Sequence, residues 1–409
     1  MRFAIYIRSV ESARGAERVA VNVARGLAER GHRVDFLVEE EGARLLDELR
    51  SQHANVTIRN LRRDIECRLA NKRSLARAFA QSLLSAPAAL LLSGDACIGP
   101  VARLLWKNEP PIAALRRYIR SSRPQAILSL LNYPNVVVLL TRLLSRERTR
   151  FVVSVHNTIS VVTAQNESKP IRSVPRLMRR YFRKADGIVA VSLGVADDVA
   201  AITGLPRERI TTIYNPVYRP ELSDLAEAEV DHSWLMNGNR PVVLGAGKLK
   251  PQKDFPTLLK AFAKVRAERP ARLIILGTGN EEADLRALAS ALGVSDSVDF
   301  PGHVHNPFAF YRRASVFVLS SVWEGLPTVL IEAMACGCPV VSTDCPSGPR
   351  EILDGGRFGC LVPVGASDAM ADAILATMSK PPSRTELIER AKQFSLEQAI
   401  ADYEAVMAR

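Results

Sequence analysis

Short apolar runs alternating with helical periodicity, repeated as two series along 409 residues, leave this chain few architectures to adopt. "AILSLL", "FVVSV", "GIVAVS" and "ITTIY" belong to the first series; "VVLGAG", "ARLIILG", "SVDFPG", "SVFVLS", "CPVVST" and "GCLVP" form the second. Runs this apolar suit parallel strands covered by helices on both faces. The opening displays the repeating unit: a strand Phe3 to Ile7, the loop "RSVESARGAE", a helix from about Arg18 to Arg30, and "GHRVDFLV" as the next strand. Between the series, "VYRPELSDLAEAEVDHSWLMNGNRP" is polar, acidic and turn-rich. The chain is too long for one ordinary core. The expectation is an α/β protein with two doubly wound domains, 1–215 and 241–394, joined by a linker at 216–240 and facing a central cleft. Ligands of such sheets bind beyond the carboxyl ends of the strands. An amphipathic helix within 395–409 is expected to pack back toward the first domain.

Charge and cysteines narrow the partners and the compartment. The net charge of +12 resides in the first half, where residues 1–220 hold 36 Lys and Arg against 19 Asp and Glu. No nucleic-acid recognition motif accompanies it, so nucleic acid is not expected as a partner. In "IRSVPRLMRRYFRKA", Arg172, Arg176, Arg179, Arg180 and Arg183 share one face of a helix, and Leu177, Met178, Tyr181 and Phe182 gather toward another. Arg116, Arg117, Arg120 and Arg123 repeat the idea. The expectation is docking on an anionic membrane surface; the alternative is an apolar face packed on its own sheet beneath solvated arginines. "LLSAPAALLLSGDACIGPVARLL" and "AILSLLNYPNVVVLLTRLL" are too interrupted to span a bilayer, and the second fits a strand, a turn and a helix. "MRFAIYIRSV" is an alternating strand rather than an export signal. Cys67, Cys97, Cys336, Cys338, Cys345 and Cys360 show no metal-ligand spacing and read as buried thiols of a reducing cytoplasm.

Two segments of the second series carry chemistry. "GAGKLKPQKD" puts Gly247, Lys248 and Lys253 in a loop after a strand, where backbone N–H groups and two ammonium groups can meet phosphates. Neither Gly245-Ala-Gly247 nor Gly277-Thr-Gly279 continues into G-x-G-x-x-G, which argues against a nicotinamide site. In "SVWEGLPTVLIEAMACGCPVVS", Glu324 precedes a Gly-Leu-Pro turn, Pro327 suits a helix start, and Glu332 falls in the first turns of that helix. The N–H groups of Gly325, Leu326 and Thr328 would then face an anion, and two carboxylates beside it suit hydroxyl groups. The other reading is two acidic residues offsetting a helix dipole.

"SSVWEGLPTVLIEAMACGCPVVSTDCPSGPREIL" resembles the signature of family 4 glycosyltransferases, retaining enzymes of the GT-B class with two Rossmann-like domains and nucleotide-sugar donors. "GAGKLKPQKDF", "GTGNEEADL", "HNPFAFYRRASVFVLSS" and the closing helix fall in the family's order. The resemblance implies that Glu324 contacts donor-sugar hydroxyls, Glu332 the ribose, and Lys248 with Lys253 the diphosphate. "FVVSVHNTI" resembles the strand-end segment whose histidine approaches the donor sugar, so His156 is the catalytic candidate beside Glu324. Gly15 would bring its backbone near donor or acceptor, although Arg14 stands where the family usually has glycine.

The implied reaction moves a hexose or N-acetylhexosamine from a nucleotide sugar, UDP-linked by expectation, to a glycan or lipid-linked acceptor in cell-surface polysaccharide assembly. "SGPREIL" is similar to members that move N-acetylhexosamines. No Asp-x-Asp occurs in the chain, so no metal and no cofactor are expected. The expected location is the cytoplasm, peripheral on the inner face of the membrane. The alternatives are a nucleotide-sugar epimerase or hydrolase on the same scaffold and, more remotely, a nucleic-acid-binding protein.

Overall fold

The computed structural model describes residues 1–10, 15–40, 44–62, 111–165, 169–236 and 240–409. Two compact units divide the chain: Met1–Val191, Val195–Tyr214 and Ala399–Arg409 form the first, and Ser192–Gly194 with Asn215–Gln398 the second. Arg14, Cys67, Cys97 and "LLSAPAALLLSGDACIGPVARLL" lie outside the described residues.

The first unit holds a seven-stranded sheet in the order β3-β2-β1-β4-β5-β6-β7. Its strands are β1 (Arg2–Tyr6), β2 (Arg33–Val38), β3 (Val56–Asn60), β4 (Ala126–Leu130), β5 (Arg150–Val155), β6 (Gly187–Ala190) and β7 (Ile210–Thr212). Every pairing is parallel. Central strands are buried along nearly their whole length, because helices cover both faces. Edge strand β3, "VTIRN", is buried only at Val56 and carries a polar alternation. It was not among the expected strands, because an edge needs no continuous apolar run. The first helix, Gly15–Glu29, begins three residues before the expected Arg18.

The second unit has a six-stranded parallel sheet in the order β10-β9-β8-β11-β12-β13. Here β8 is Val242–Ala246, β9 Arg272–Leu276, β10 Val298–Gly302, β11 Val316–Leu319, β12 Val340–Thr343 and β13 Cys360–Val362. Its core gathers β8, β9 and β11 with the helices Phe255–Glu268 and Ser367–Ser379 through Val243, Leu273, Val316, Phe262 and Ile374. In each sheet the strand order reverses once, between β1 and β4 and between β8 and β11. Those reversals open a crevice at the carboxyl ends of the strands.

Three expectations need correction. The stretch 216–240 is not a free linker: helix Leu222–Glu227 buries Leu222 and Ala226, Glu227 pairs with Arg312 at 2.7 Å, and His232 meets Asp299 at 2.9 Å. The segment "IRSVPRLMRRYFRKA" is not one helix but Lys169–Arg172, Val174–Tyr181 and a 3-10 turn Phe182–Lys184. Pro175, which has no amide N–H, suits the first turn of a new helix. The third correction concerns Cys360, which is exposed because β13 is the sheet's edge, whereas Cys336, Cys338 and Cys345 are buried.

Candidate active site

The loops that leave β8 and β9 lie backbone against backbone beside the second sheet's reversal. Gly247 N–H donates to Leu276 O at 2.9 Å and Leu249 N–H to Thr278 O at 3.0 Å. The glycines of "GTG" make this approach possible. A Cβ on Gly277, whose φ is 132°, would sit 1.9 Å from Gly247 O, and one on Gly279 would sit 2.0 Å from Leu249 O. Sequence reasoning weighed these glycines only as an incomplete dinucleotide fingerprint. Their structural use is to let the phosphate-loop candidate Gly247–Lys253 run against its neighbour.

Across the reversal, the loop after β11 is laced to the loop after β8. Val322 N–H donates to Gln252 O at 2.9 Å, the Gln252 amide to Trp323 O at 2.7 Å, and the Ser320 hydroxyl to Lys253 O at 2.6 Å. These bonds bring together two residues that lie 71 positions apart: the Lys253 ammonium donates to Glu324 Oε1 at 2.6 Å. Ser321 Oγ donates to the same oxygen at 2.7 Å. Glu324 is buried and Lys253 half-buried, whereas Lys248 is exposed on the same loop. A cation and a carboxylate at a strand-end crevice can serve the two halves of a sugar phosphate, one for phosphate oxygens and one for hydroxyls.

The turn that follows is held from behind. Glu324 N–H donates to Pro346 O at 3.1 Å, and Asn215 Nδ2 donates to Leu326 O at 3.2 Å. Gly348, at φ 98°, permits close packing, since a Cβ there would lie 2.5 Å from Pro327 Cδ and 3.0 Å from Leu326 Cα. Gly325, Leu326 and Pro327 are buried and Thr328 half-buried. Pro327 occupies the cap position of helix Thr328–Ala335, and its φ of −69° suits that start. Glu332, the fifth helical residue, is buried and accepts from the Tyr311 hydroxyl at 3.4 Å. The neighbouring Cys336 and Cys345 thiols are pushed up to about 12, mainly by burial, so neither is a nucleophile at neutral pH.

In the first unit, His156 follows directly on β5. Its ring is buried, Nε2 lies 3.0 Å from Ser154 Oγ, and burial pushes its pKa down to about 4. The imidazole is therefore neutral at neutral pH. Near the first sheet's reversal, which the sequence reading did not populate, Tyr6 donates a hydrogen bond to the buried Glu39, and Arg8 lies over the Tyr133 ring at 5.4 Å. Gly15 is exposed at the start of its helix.

The basic candidates divide by exposure. Arg172, Arg176, Arg179, Arg180 and Arg183 are exposed, while Met178, Tyr181 and Phe182 are buried within the unit. Arg117, Arg120 and Arg123 are also exposed; Arg116 is half-buried, and Arg120 pairs with Glu147 at 3.3 Å. The aromatic residues are thus not part of any membrane-facing surface. Among the described residues, no helix is long and apolar enough to cross a membrane, and no cluster of three or more His, Cys, Asp or Glu is placed to hold a metal ion.

Residues 13–218 match the model described as Glycosyltransferase Family 4, and residues 227–394 the model described as Glycosyl transferases group 1. Among curated relatives is the N-acetylgalactosamine-N,N'-diacetylbacillosaminyl-diphospho-undecaprenol 4-alpha-N-acetylgalactosaminyltransferase of Campylobacter jejuni. It is 28% identical over 64% of this chain and 69% of its own length. The lipopolysaccharide core biosynthesis glycosyltransferase LpsE of Rhizobium meliloti is 35% identical over 54% of this chain and 64% of its own length. The match to LpsE therefore spans less than two thirds of that relative. Among solved structures, Anabaena HepE in complex with UDP and glucose superposes with a TM-score of 0.71 at 20% identity, covering 99% of each chain. Sucrose-phosphate synthase from Thermosynechococcus elongatus gives 0.73 at 18% identity, over 99% of this chain and 97% of that one. With two parallel α/β sheets of this topology and a family model matched over residues 13–218, half of its length, the chain belongs to glycosyltransferase family 4 and has the GT-B fold.

Proposed function

We propose that this glycosyltransferase moves a hexose or N-acetylhexosamine from a UDP-sugar to a glycan or lipid-linked acceptor, with retention of configuration and without a metal ion. The observation that carries the reading is the Lys253–Glu324 pair, closed at 2.6 Å where the second sheet's strand order reverses. Lys248, Lys253 and the N–H groups of Gly325, Leu326 and Thr328 stabilise the departing diphosphate, whose negative charge grows as the glycosidic bond breaks. Glu324 accepts from sugar hydroxyls and Glu332 from the ribose. The C1–O bond to the diphosphate breaks, the acceptor oxygen bonds to C1 on the same face, and a phosphate oxygen of the leaving group takes the acceptor proton. His156, neutral at neutral pH, would serve a sugar hydroxyl as a hydrogen-bonding group rather than as a cation.

UDP is supported by HepE, solved with UDP and glucose, and a lipid-linked acceptor by the undecaprenol diphosphate in the Campylobacter relative's name. The exposed Arg172–Arg183 face and Arg116, Arg117 and Arg120 would bring such an enzyme to an anionic membrane from the cytoplasmic side. A panel of nucleotide sugars tests the reading by calorimetry. UDP-sugars should bind, chelator should leave turnover unchanged, and Glu332→Gln should weaken UDP by about 1.5 to 3 kcal/mol. Unchanged UDP affinity in that variant refutes the ribose assignment, and rapid consumption of donor without acceptor would favour hydrolysis or epimerisation instead.

A further inference from the structure

The strand that delivers His156 also carries a buried hydroxyl whose purpose the fold alone does not explain. Ser154 and His156 are two residues apart at the end of β5, so both project to one side, and Ser154 Oγ lies 3.0 Å from His156 Nε2. Ser154 itself is immobilised. Its carbonyl accepts from Asn135 Nδ2 at 2.8 Å and from Leu131 N–H at 3.3 Å, and Asn135 Oδ1 in turn accepts from Ser129 Oγ at 2.7 Å. Ser129 and Ser154 are fully buried and Asn135 is 1% exposed. Leu131 reaches its place with φ 76°, a strained value for a branched side chain, so the surrounding structure compels this arrangement.

We infer that Ser154 is a positioning residue: its hydroxyl donates to His156 Nε2, holding the imidazole in the Nδ1–H form, so that His156 meets the donor sugar as a hydrogen-bond donor. Proton accounting gives the direction. Among the described residues His156 Nε2 is the hydrogen-bond partner of Ser154 Oγ, and the nearby buried Tyr403 hydroxyl, from the helix Leu396–Ala408, completes no hydrogen bond. If Nε2–H donated to Ser154, the serine proton would be left in a buried site without an acceptor. With the serine proton on Nε2, that hydroxyl is satisfied and Nδ1–H is left to donate. A buried O–H left without an acceptor costs about 1 to 3 kcal/mol, which favours the second arrangement.

The inference rests on the proposed role of His156, but its test does not depend on activity alone. The full chain, labelled with 15N-histidine at neutral pH, contains six histidines, and the His156 signal is the one lost in His156→Gln. The wild type should show an unprotonated Nε2 and a protonated Nδ1. Ser154→Ala should shift His156 to the Nε2–H form and lower kcat about tenfold with little change in donor KM, whereas Ser154→Thr, which keeps the hydroxyl, should retain the Nδ1–H form. A protonated Nε2 in the wild type, or an unchanged tautomer in Ser154→Ala, overturns the inference, and the wild-type spectrum decides even if a variant fails to fold. Normal turnover in His156→Gln beside the expected spectra would remove His156 from the reaction while leaving its positioning by Ser154 intact.

Discussion

Burial decides what His156 can do before any ligand arrives. An unfolded histidine titrates near 6.5 and the folded one near about 4, so the native state is reluctant to take up a proton that the unfolded chain accepts. Stability is therefore complete above 6.5 and declines as pH falls toward 4, by a total of about 3 kcal/mol. Thermal melting of wild type and His156→Gln between pH 7 and 4.5 should show the wild type losing more stability than the variant; parallel curves would contradict the burial argument. The sequence already pointed to His156 as a strand-end residue, but its burial comes from the fold and its serine partner is held by Asn135, which no local pattern connects to it. The same holds for Lys253 and Glu324. Each was legible in its own motif, yet their 2.6 Å contact is a product of sheet order, which places β8 beside β11. Lys253→Ala should weaken UDP far more than uridine, which has no phosphate to lose. Equal weakening of both, measured by calorimetry, would mean general damage to the loop.

Elements were legible where burial made them apolar and were missed where they were not. β4 followed by helix Asn132–Leu144 matches the strand, turn and helix read from "AILSLLNYPNVVVLLTRLL". β3 escaped because only one of its five residues is buried. The stretch 216–240 looked like a linker because its acidic and turn-forming residues are common in linkers, while its partners Asn306, Arg312 and Arg313 lie far along the chain. At the site, the decisive element is the pair of adjoining loops after β8 and β9, which depends on the absence of a side chain. Gly279→Ala would thrust a methyl group against Leu249 O, a backbone atom that can move only with the loop carrying Lys248 and Lys253. UDP affinity should fall at least about tenfold, with stability lowered by roughly 1 to 3 kcal/mol as for other overpacked sites. Gly293→Ala is the control: its φ is +68° with open space around it, so it should cost some stability but leave UDP binding unchanged. Loss of affinity in both would detach the effect from the loop contact.

At the scale of the whole molecule, the ends of the chain meet in one unit. Ala399–Arg409 belongs with the first sheet although the whole of the second unit precedes it in sequence. The fit is close: a Cβ on Gly26 would lie 2.4 Å from Ile400 Cγ1, and one on Gly187 2.9 Å from Val406 Cγ1. Tyr403 is fully buried, and Glu404 reaches Arg30 and His32, each at 2.9 Å. The basic surface of this same unit gives one prediction. With Tyr181 and Phe182 buried, vesicle binding by this basic face rests on charge, so flotation should require anionic lipid, vanish in high salt and fall when Arg176, Arg179, Arg180 and Arg183 become Ser. Binding that persists in high salt would contradict it. The returning helix gives another. The Arg30 guanidinium, with His32 beside it, holds the Glu404 carboxyl below its ordinary value, so the anchorage is present above the usual carboxylate range and is lost as pH falls through the depressed folded value. Deleting residues 399–409 uncovers Gly26 and Gly187 and removes Tyr403 from beside Ser154. Amide exchange should then accelerate in helix Gly15–Glu29, β5 and β6, while β8, β9 and β11 keep their protection because their core contains no residue of the deleted segment. Glu404→Gln should reproduce a milder form of that pattern at neutral pH, and it should narrow the difference from wild type as the wild-type carboxyl is itself protonated. Faster exchange spread evenly over both sheets would show instead that the helix stabilises the chain as one cooperative body rather than the unit it covers.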